Sequence, residues 1–192
     1  MIQFKDVKGF PDLENQEKIP TDLFLASSKE IVSMIETFGR LFSPVVSDMS
    51  GNIEALEKCY QLDVEKHLYL EDLVIANKHV SSALLWLKRA LDLIAAFFSH
   101  IVNDDSTTKE DLTQHLSKAY EITLKPYHGW ITRTAFSVIY RWTPKRSELI
   151  GTGPSHDANI KTLAVILPKM QKHLVLVDAF LKENNLDDNK VV

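Results

Sequence analysis

Cysteine is nearly absent from this sequence: Cys59 is the only one among 192 residues. A single cysteine forms neither an internal disulfide nor a cysteine-only zinc site, and such usage is typical of a reducing compartment. The seven histidines are scattered and lack metal-ligand spacing such as His-Glu-x-x-His. The first ten residues lack the apolar core of a signal peptide. We therefore expect a cytoplasmic location, no metal and no cofactor.

Long apolar runs are missing as well. The longest spans residues 93–98 and is flanked by Asp92 and His100, whereas a membrane-spanning helix needs roughly 20 mostly apolar residues. Any membrane contact is therefore expected to be peripheral. The net charge of −4 gives little basis for binding nucleic acid. With 45% hydrophobic and 25% charged residues, the composition fits one globular domain with a sizeable core.

Strand patterns are also absent, and helical periodicity covers almost the whole chain. We predict an all-α fold, in which a polar arm at residues 1–18 precedes a single domain of about eight helices at residues 19–192. The predicted helices run from Thr21 to about Phe38, Ser43 to about Tyr60, Asp63 to about Lys78, His79 to Val102, about Ser106 to Lys125, and Pro126 to Trp142, followed by two more that are separated at Pro168.

Two polar residues on the second predicted helix form the first candidate site. Asp48 and Asn52 are four residues apart, so their side chains share one face. A carboxylate accepts hydrogen bonds, and an amide both donates and accepts them, as a polyhydroxylated ligand requires. Ala55 and Cys59 continue the same helix face, which changes from polar to apolar along its length. Such a change is typical of the entrance to an apolar pocket. A solvated helix face is the alternative interpretation.

Trp86 lies in an otherwise apolar segment, residues 83–90. A buried indole needs a partner for its N–H or a flat ligand against its face, and the apolar face of a sugar ring is such a ligand. Leu93 and Phe97 follow on the same helix and could extend toward a ligand channel. Plain core packing is the alternative for all three residues.

The segment Lys-Pro-Tyr-His-Gly-Trp at residues 125–130 supplies the third candidate group. The ring nitrogens of His128 could hydrogen-bond an amide carbonyl in a buried site, and a purely structural role is the alternative. Trp130 is followed by Arg133 and Trp142, and tryptophan with basic residues is the composition of a membrane-interface contact. A basic, solvated helix end is the competing interpretation.

An enzyme is a weaker interpretation of the same residues. Asp48 and His128 could form a dyad with Cys59 as the nucleophile. The neighbours of Cys59 match no nucleophile motif, however, and no oxyanion-hole element is visible. We therefore expect a protein without catalytic residues.

Taken together, three blocks of this sequence resemble the glycolipid transfer protein family in their order and separation. They are Asp-x-x-Gly-Asn at residues 48–52, Leu-Trp-Leu-Lys-Arg at 85–89 and Tyr-His-Gly-Trp at 127–130, and similarity extends over about 19–192. The C-terminal sequence resembles most the lipid-transfer domain of a phosphoinositide-binding adaptor protein. The chain is therefore expected to be either a lone transfer protein or one domain of a longer one.

The resemblance implies a two-layer helical sandwich that encloses one lipid and performs no catalysis. In the family, the residues matching Asp48 and His128 hold the ceramide amide, and those matching Asn52 and Trp86 hold and stack the first sugar. The tryptophan matching Trp130 contacts the membrane in the family. We expect Arg133 and Trp142 to contact it as well. The residues expected near the hydrocarbon channel are Leu93, Phe97, Leu124 and Phe136.

The expected ligand is a glycosphingolipid with a galactosyl, glucosyl or lactosyl headgroup, carried by a monomer that contacts membranes only peripherally. Two alternatives stay open. One is a lipid sensor or interaction module that binds without transferring. The other is a carrier of the ceramide-1-phosphate type, but that branch places basic residues where this chain has Asn52 and Trp86.

One position departs from the family pattern. Glycolipid binders of the family usually carry a lysine three residues after the asparagine, where this chain has Ala55. Lys58 lies three residues after Ala55 on the same helix, and at about 100° per residue its side chain points roughly 60° away from the direction of residue 55. The departure therefore bears on affinity or on the choice of headgroup.

Overall fold

The computed structural model describes residues 4–13, 17–106 and 109–191. Within these ranges the chain forms eight α-helices and four short 3₁₀ turns, and its only strand-like pairing is a bridge between Pro20 and Tyr69. The all-α prediction is confirmed. The helices are α1 Thr21–Glu36, α2 Ser43–Leu62, α3 Leu70–Ala76, α4 Ser81–Val102, α5 Thr113–Ile122, α6 Trp130–Tyr140, α7 Arg146–Leu149 and α8 Gly153–Glu183.

Helix α4 is the centre of the fold. It is apolar on most of its sides, and it packs against α2, α5 and α8. A helix with so broad an apolar surface is stable in water only when neighbours cover it on both faces. The second helix, α2, also packs against α1, so that the helices stack in two layers around one hydrophobic core. This arrangement leaves α2, α4 and α6 around a cavity described below.

The described part of the predicted arm contributes to the core. Phe4 and Phe10 are almost fully buried, and the ring of Phe4 meets that of Phe98 edge-to-face at 5.6 Å. The backbone N–H of Phe4 also donates to Asn159 on α8 at 3.3 Å. Residues 1–3, 14–16 and 192 of the predicted arm and domain lie outside the described residues, and the boundary at residue 18 stays a prediction.

Two predicted helix starts were wrong, and both helices begin later. After α2, Asp63 accepts from the backbone N–H of Lys66 and closes a turn, and α3 begins only at Leu70. The fifth helix begins at Thr113, whose N–H donates to Asp111 at 2.8 Å. Part of its predicted first turn, residues 107–108, lies outside the described residues. In both places a local side-chain hydrogen bond competes with helix formation.

The C-terminal third also differs from the expectation. The sixth helix spans only Trp130–Tyr140, because residues 125–127 form a separate 3₁₀ turn. A short helix, Arg146–Leu149, follows that was not predicted. The expected break at Pro168 was wrong, since α8 continues through it. Proline removes one hydrogen bond from a helix, but buried neighbours on both sides hold α8 against the core: Leu163, Ile166, Leu167, Met170 and Leu174.

Candidate functional site

A cavity of about 590 Å³ opens between α2, α4 and α6. Its volume lies within the range of roughly 300–1,000 Å³ that is typical of ligand sites. Most of its wall is apolar, and the polar groups are few. The lining residues are Pro44, Val45, Asp48, Asn52, Trp86, Ala90, Leu124, His128, Thr132, Ala135, Phe136, Val138 and Ile139. All four residues predicted for the headgroup and amide are among them.

Helix α2 carries the polar pair of the cavity. The amide Nδ2 of Asn52 donates to Oδ2 of Asp48 at 3.3 Å, as expected for residues four apart on one helix face. The Asp48 carboxyl reaches solvent, but the concave protein surface around it displaces part of its water. This desolvation raises the pKa of the Asp48 carboxyl above its ordinary value of 3.8. The pair therefore offers oxygen acceptors and one amide group to a ligand.

His128 is a buried residue of the same cavity wall. Its Nδ1 lies 3.0 Å from the hydroxyl of Tyr120 on α5. Burial lowers the pKa of the His128 imidazole below 6.5, and the cations of Arg133 and Arg89 lower it further. At neutral pH the ring is therefore uncharged, with one nitrogen as donor and the other as acceptor.

Trp86 joins the two sides of the site. Its indole stacks on the His128 imidazole, with ring centroids 6.0 Å apart and planes inclined by 19°. The guanidinium of Arg89 lies 5.0 Å from the centroid of the Trp86 ring and 3.4 Å from that of Tyr127. These contacts fix the indole on α4 with part of its surface facing the cavity. Both interpretations of Trp86 apply in part, because it is half-buried against the core and also lines the cavity.

The four residues predicted for the hydrocarbon channel separate into two pairs. Leu124 and Phe136 line the cavity, and Phe136 stacks on Tyr120 at 4.0 Å. Leu93 and Phe97 are buried in the core cluster on α4 and do not line this cavity. The structure thus brings Leu124 and Phe136 to the site and leaves the other pair as core.

The predicted membrane-contact residues lie at the surface around α6. Trp130 is 76% exposed and Trp142 is 62% exposed. Arg133 is also exposed, and its guanidinium donates to the carbonyl of Lys125. Ile131 and Val138 on the same helix are exposed apolar residues as well. Large exposed side chains of this kind are unusual on a surface that contacts only water.

The remaining candidate residues lie elsewhere. Cys59 is buried, with its Sγ 3.5 Å from Nε2 of His79, and it stands about 16 Å along the helix from Asp48 at 1.5 Å per residue. Asp48 and His128 line the cavity, whereas Cys59 does not, so these two residues are not placed to form a dyad for this thiol. Lys58 is largely exposed, its Nζ lies 3.9 Å from Oε2 of Glu54, and it does not line the cavity.

Within residues 4–13, 17–106 and 109–191, no group of three or more His, Cys, Asp or Glu side chains could hold a metal ion. None of the helices in these ranges is long and apolar enough to cross a membrane.

Sequence reasoning missed two residues of the site. Tyr120 reaches His128 from α5, eight residues earlier in the chain, and no local pattern marks that contact. Arg89 is 3% exposed and donates to Asp187 Oδ1 at 3.1 Å and to the carbonyl of Asp188 at 2.7 Å. An arginine on an apolar helix face was the available signal, since buried arginine side chains are normally paired.

Known proteins resemble this chain in sequence and in fold. The sequence model of the family Glycolipid transfer protein (GLTP) matches residues 19–152. Pleckstrin homology domain-containing family A member 8 from Canis lupus familiaris is 29% identical over 206 residues, covering 96% of this chain and 39% of that protein. Glycolipid transfer protein 1 from Arabidopsis thaliana is 32% identical over 145 residues, covering 71% of this chain and 70% of that protein. The chain thus spans about two fifths of the first relative.

Solved structures show the same fold. A structure of FAPP2, concerned with how FAPP2 selects simple glycosphingolipids using the GLTP-fold, matches 98% of this chain and 99% of its own, with a TM-score of 0.87 and 27% identity. The fungal glycolipid transfer protein HET-C2 has a TM-score of 0.80 at 27% identity, covering 94% and 93% of the two chains. Mouse ceramide-1-phosphate transfer protein has a TM-score of 0.83 at 20% identity, covering 97% of this chain and 95% of its own. This match shows the fold alone.

Proposed function

Since the chain belongs to the glycolipid transfer protein family, we propose that it binds one glycosphingolipid and carries it between membranes. The observation that carries the proposal is the apolar cavity whose mouth holds Asp48, Asn52, Trp86 and His128 together. By resemblance to the family, these four residues are proposed to occupy its headgroup and amide positions. A lipid carrier needs no bond-making groups, and the thiol of Cys59 does not line this cavity.

Asp48 and His128 are proposed to bind the ceramide amide, which all lipids of this class share. A carboxylate accepts from the amide N–H, and a neutral imidazole donates to the amide carbonyl. Tyr120 is proposed to donate its hydroxyl proton to Nδ1 of His128, which leaves the proton of the imidazole on Nε2 for the ligand. The lowered pKa of His128 keeps its imidazole uncharged at neutral pH.

The first sugar is proposed to lie on Trp86, with its hydroxyls bound by Asn52. An indole matches the C–H face of a sugar ring, and an amide both donates to and accepts from hydroxyls. The residues lining the cavity include no lysine or arginine. A phosphate needs cations, ideally arginine forks. The ceramide-1-phosphate alternative is therefore the less favoured of the two carriers.

The hydrocarbon chains are proposed to enter the apolar part of the cavity beside Leu124 and Phe136. Each buried CH₂ group contributes about 0.8 kcal/mol to transfer out of water. A lipid with two long chains therefore does not cross water at a useful rate unaided. The exposed Trp130 of α6 and Trp142 just after it are proposed to place the cavity mouth at the membrane surface, where lipid enters and leaves.

Vesicle-to-vesicle transfer of a fluorescent galactosylceramide tests the proposal. The wild type should transfer it, and Trp86→Ala should nearly abolish transfer while retaining the helical circular-dichroism signal. Leu62→Ala, at an exposed end of α2, serves as a control and should transfer normally. Wild-type binding without transfer would instead establish a sensor. Loss of the helical signal in Trp86→Ala would show that core packing is the main role of this indole.

Amide recognition is tested by binding several ceramide-based lipids to one variant. Asp48→Val should weaken the binding of glucosylceramide, galactosylceramide and ceramide-1-phosphate to the same extent, because all three lipids contain the amide. A variant that lost one headgroup class and kept another would contradict the assignment of Asp48 to the amide.

A further inference from the structure

A groove of about 750 Å³ lies between the N-terminal segment, α1 and the residues around α7. We call it the acidic groove, after the carboxylates of Asp6, Glu30 and Glu148 that line it. Its volume falls within the range of roughly 300–1,000 Å³ that is typical of ligand sites. It shares no lining residue with the cavity between α2, α4 and α6, so the proposed lipid site leaves it unassigned.

The floor of the acidic groove is apolar. The side chain of Phe38 packs on the core, where its ring meets that of Phe98 edge-to-face at 6.0 Å. An apolar side chain of a partner placed on this floor would leave water, which is favourable. The apolar residues lining the groove are Val7, Met34, Phe38, Pro144 and Leu149.

The carboxylates of the groove come one from each of the three segments that form it. Asp6 and Glu148 are exposed, and Glu30 is half-buried. None of the described residues that line the groove is a lysine or an arginine, and no ion pair joins these three carboxylates to a basic side chain within the described ranges. The groove therefore concentrates negative charge at separate points around an apolar floor, which attracts cations and repels anions.

The walls of the groove are held by hydrogen bonds inside the protein. The carboxylate of Glu30 on α1 accepts from the backbone N–H groups of Lys8 at 3.0 Å and Gly9 at 2.6 Å, which fixes the N-terminal segment beside the helix. The carboxylate of Glu148 accepts from the backbone N–H of Lys145 at 3.0 Å. A carboxylate has about four acceptor sites, so both groups keep sites for a partner. A wall that is already ordered lowers the entropic cost of binding.

From these observations we propose that the acidic groove binds a short basic peptide segment of a partner protein. Its apolar side chains would lie on the floor, and its lysines or arginines would meet the three carboxylates. A small ligand with a single ammonium group would meet only one of them. A basic amphipathic helix, with its apolar face in the groove, is one form of peptide that matches this pattern. Anionic lipids, phosphopeptides and nucleic acid do not match the charge.

The position of the groove adds a consequence for the carrier. Pro144 of the groove follows the exposed Trp142 by two residues. A partner bound in the groove would therefore lie beside the surface proposed to contact membranes. It would not occupy the lipid cavity, because the two sites have no lining residue in common.

Selection from a phage-displayed library of random peptides, about 12 residues or roughly three helical turns long, tests the groove on the wild-type protein. We expect the selected peptides to combine lysine or arginine with large apolar residues. Measured by fluorescence anisotropy, their affinity should fall as salt is added, because exposed charges are screened.

The double variant Asp6→Asn/Glu148→Gln locates the charge effect. Both substitutions keep the size of the side chain and an acceptor oxygen, and remove only the charge. Binding of the selected peptide should weaken about fivefold, the effect of one or two exposed ion pairs. The matched control is Asp22→Asn/Glu183→Gln, at exposed positions that do not line the groove, and it should bind the peptide as the wild type does.

A second variant fills the groove. Ser33 is an exposed residue of α1 that lines it, so Ser33→Trp should weaken the peptide about tenfold, because the indole would occupy space that the peptide needs. Ala26→Trp, at an exposed position of the same helix outside the groove, should have no such effect.

Three results would overturn the proposal. One is a set of selected peptides without enrichment in basic residues. Another is unchanged peptide affinity in both groove variants. The third is a wild type that dimerises in sedimentation velocity and becomes monomeric as Ser33→Trp, since the occupant would then be a second copy of this chain.

The lipid cavity serves as an independent reference. All of these variants should transfer galactosylceramide at the wild-type rate, because none of the substituted residues lines that cavity. Absence of transfer in the wild type would refute the proposed function and would leave the peptide results unaffected. Failure of the peptide results alone would remove the groove as a docking site and leave the carrier function.

Discussion

The imidazole of His128 has its orientation set by Tyr120 and Trp86. The tyrosine hydroxyl lies 3.0 Å from Nδ1, and the indole covers one side of the ring. Burial raises the pKa of the Tyr120 hydroxyl, so the phenol keeps its proton. Tyr120 does not line the cavity, so on the proposed assignment it acts through His128.

Tyr120→Phe should weaken binding of ceramide-based lipids about fivefold, since one neutral hydrogen bond contributes about 1 kcal/mol. The loss should be the same for one-sugar and two-sugar lipids, measured by fluorescence titration. In a His128→Leu background the same change should have almost no further effect. Tyr69→Phe, at an exposed position before α3, is the control. Full additivity of the two losses would show that Tyr120 acts independently of His128.

Among the helices, α6 combines a cavity-lining face with an exposed apolar face. Phe136 and Ile139 face inward and line the cavity, while Trp130 and Ile131 are exposed. One short helix therefore contributes a cavity wall and an apolar surface. Docking of this surface on a bilayer would bring the cavity mouth to the membrane together with it.

Trp130→Ala should reduce association with phospholipid vesicles several-fold, because an interfacial indole has a partner only when a membrane is present. Binding of a short-chain glycolipid measured without vesicles should change little. Vesicle sedimentation measures the membrane association, and titration with the short-chain lipid measures the affinity of the lipid site. Leu62→Ala replaces a residue that is equally exposed, at 76%, and should change neither. Equal losses in both assays would place Trp130 in the lipid site.

For the whole molecule, buried histidines connect stability with pH. Burial lowers the pKa of both His128 and His173 below 6.5. The unfolded chain binds protons near 6.5, so between that value and the lower folded pKa the unfolded state holds more protons. The free energy of unfolding should therefore fall as the pH decreases through 6.5, and the loss is complete below the folded pKa.

Urea unfolding at several pH values between 7.5 and 5 measures this dependence, which should reach at most about 1.4 kcal/mol per pH unit for each histidine. His173→Gln should make the dependence shallower, whatever its effect on stability at pH 7.5. Raised pKa values at Glu71 and Asp92, caused by burial, act in the opposite direction at lower pH. A free energy of unfolding that increased as the pH was lowered from 7 to 6 would contradict the prediction.

The sequence by itself determined the class of fold and the first, second and fourth helices. Apolar residues recur at helical spacing, and no segment alternates as a strand does. Thr21 and Ser43-Pro44 begin their helices where the sequence places them. The apolar surface of α4 requires a central position, and that is where it lies. Asp48 and Asn52 share a face because residues four apart on a helix must.

Tertiary structure decided the rest, because it depends on contacts between distant segments. Pro168 stays inside α8 since the flanking apolar residues are buried against the core, which offsets the missing hydrogen bond. Leu93 and Leu124 are similar apolar residues, yet only the second lines the cavity, and periodicity cannot distinguish them. Arg89 meets Asp187 across almost a hundred positions. Local spacing encodes each helix face, whereas the packing of helices determines what each face meets.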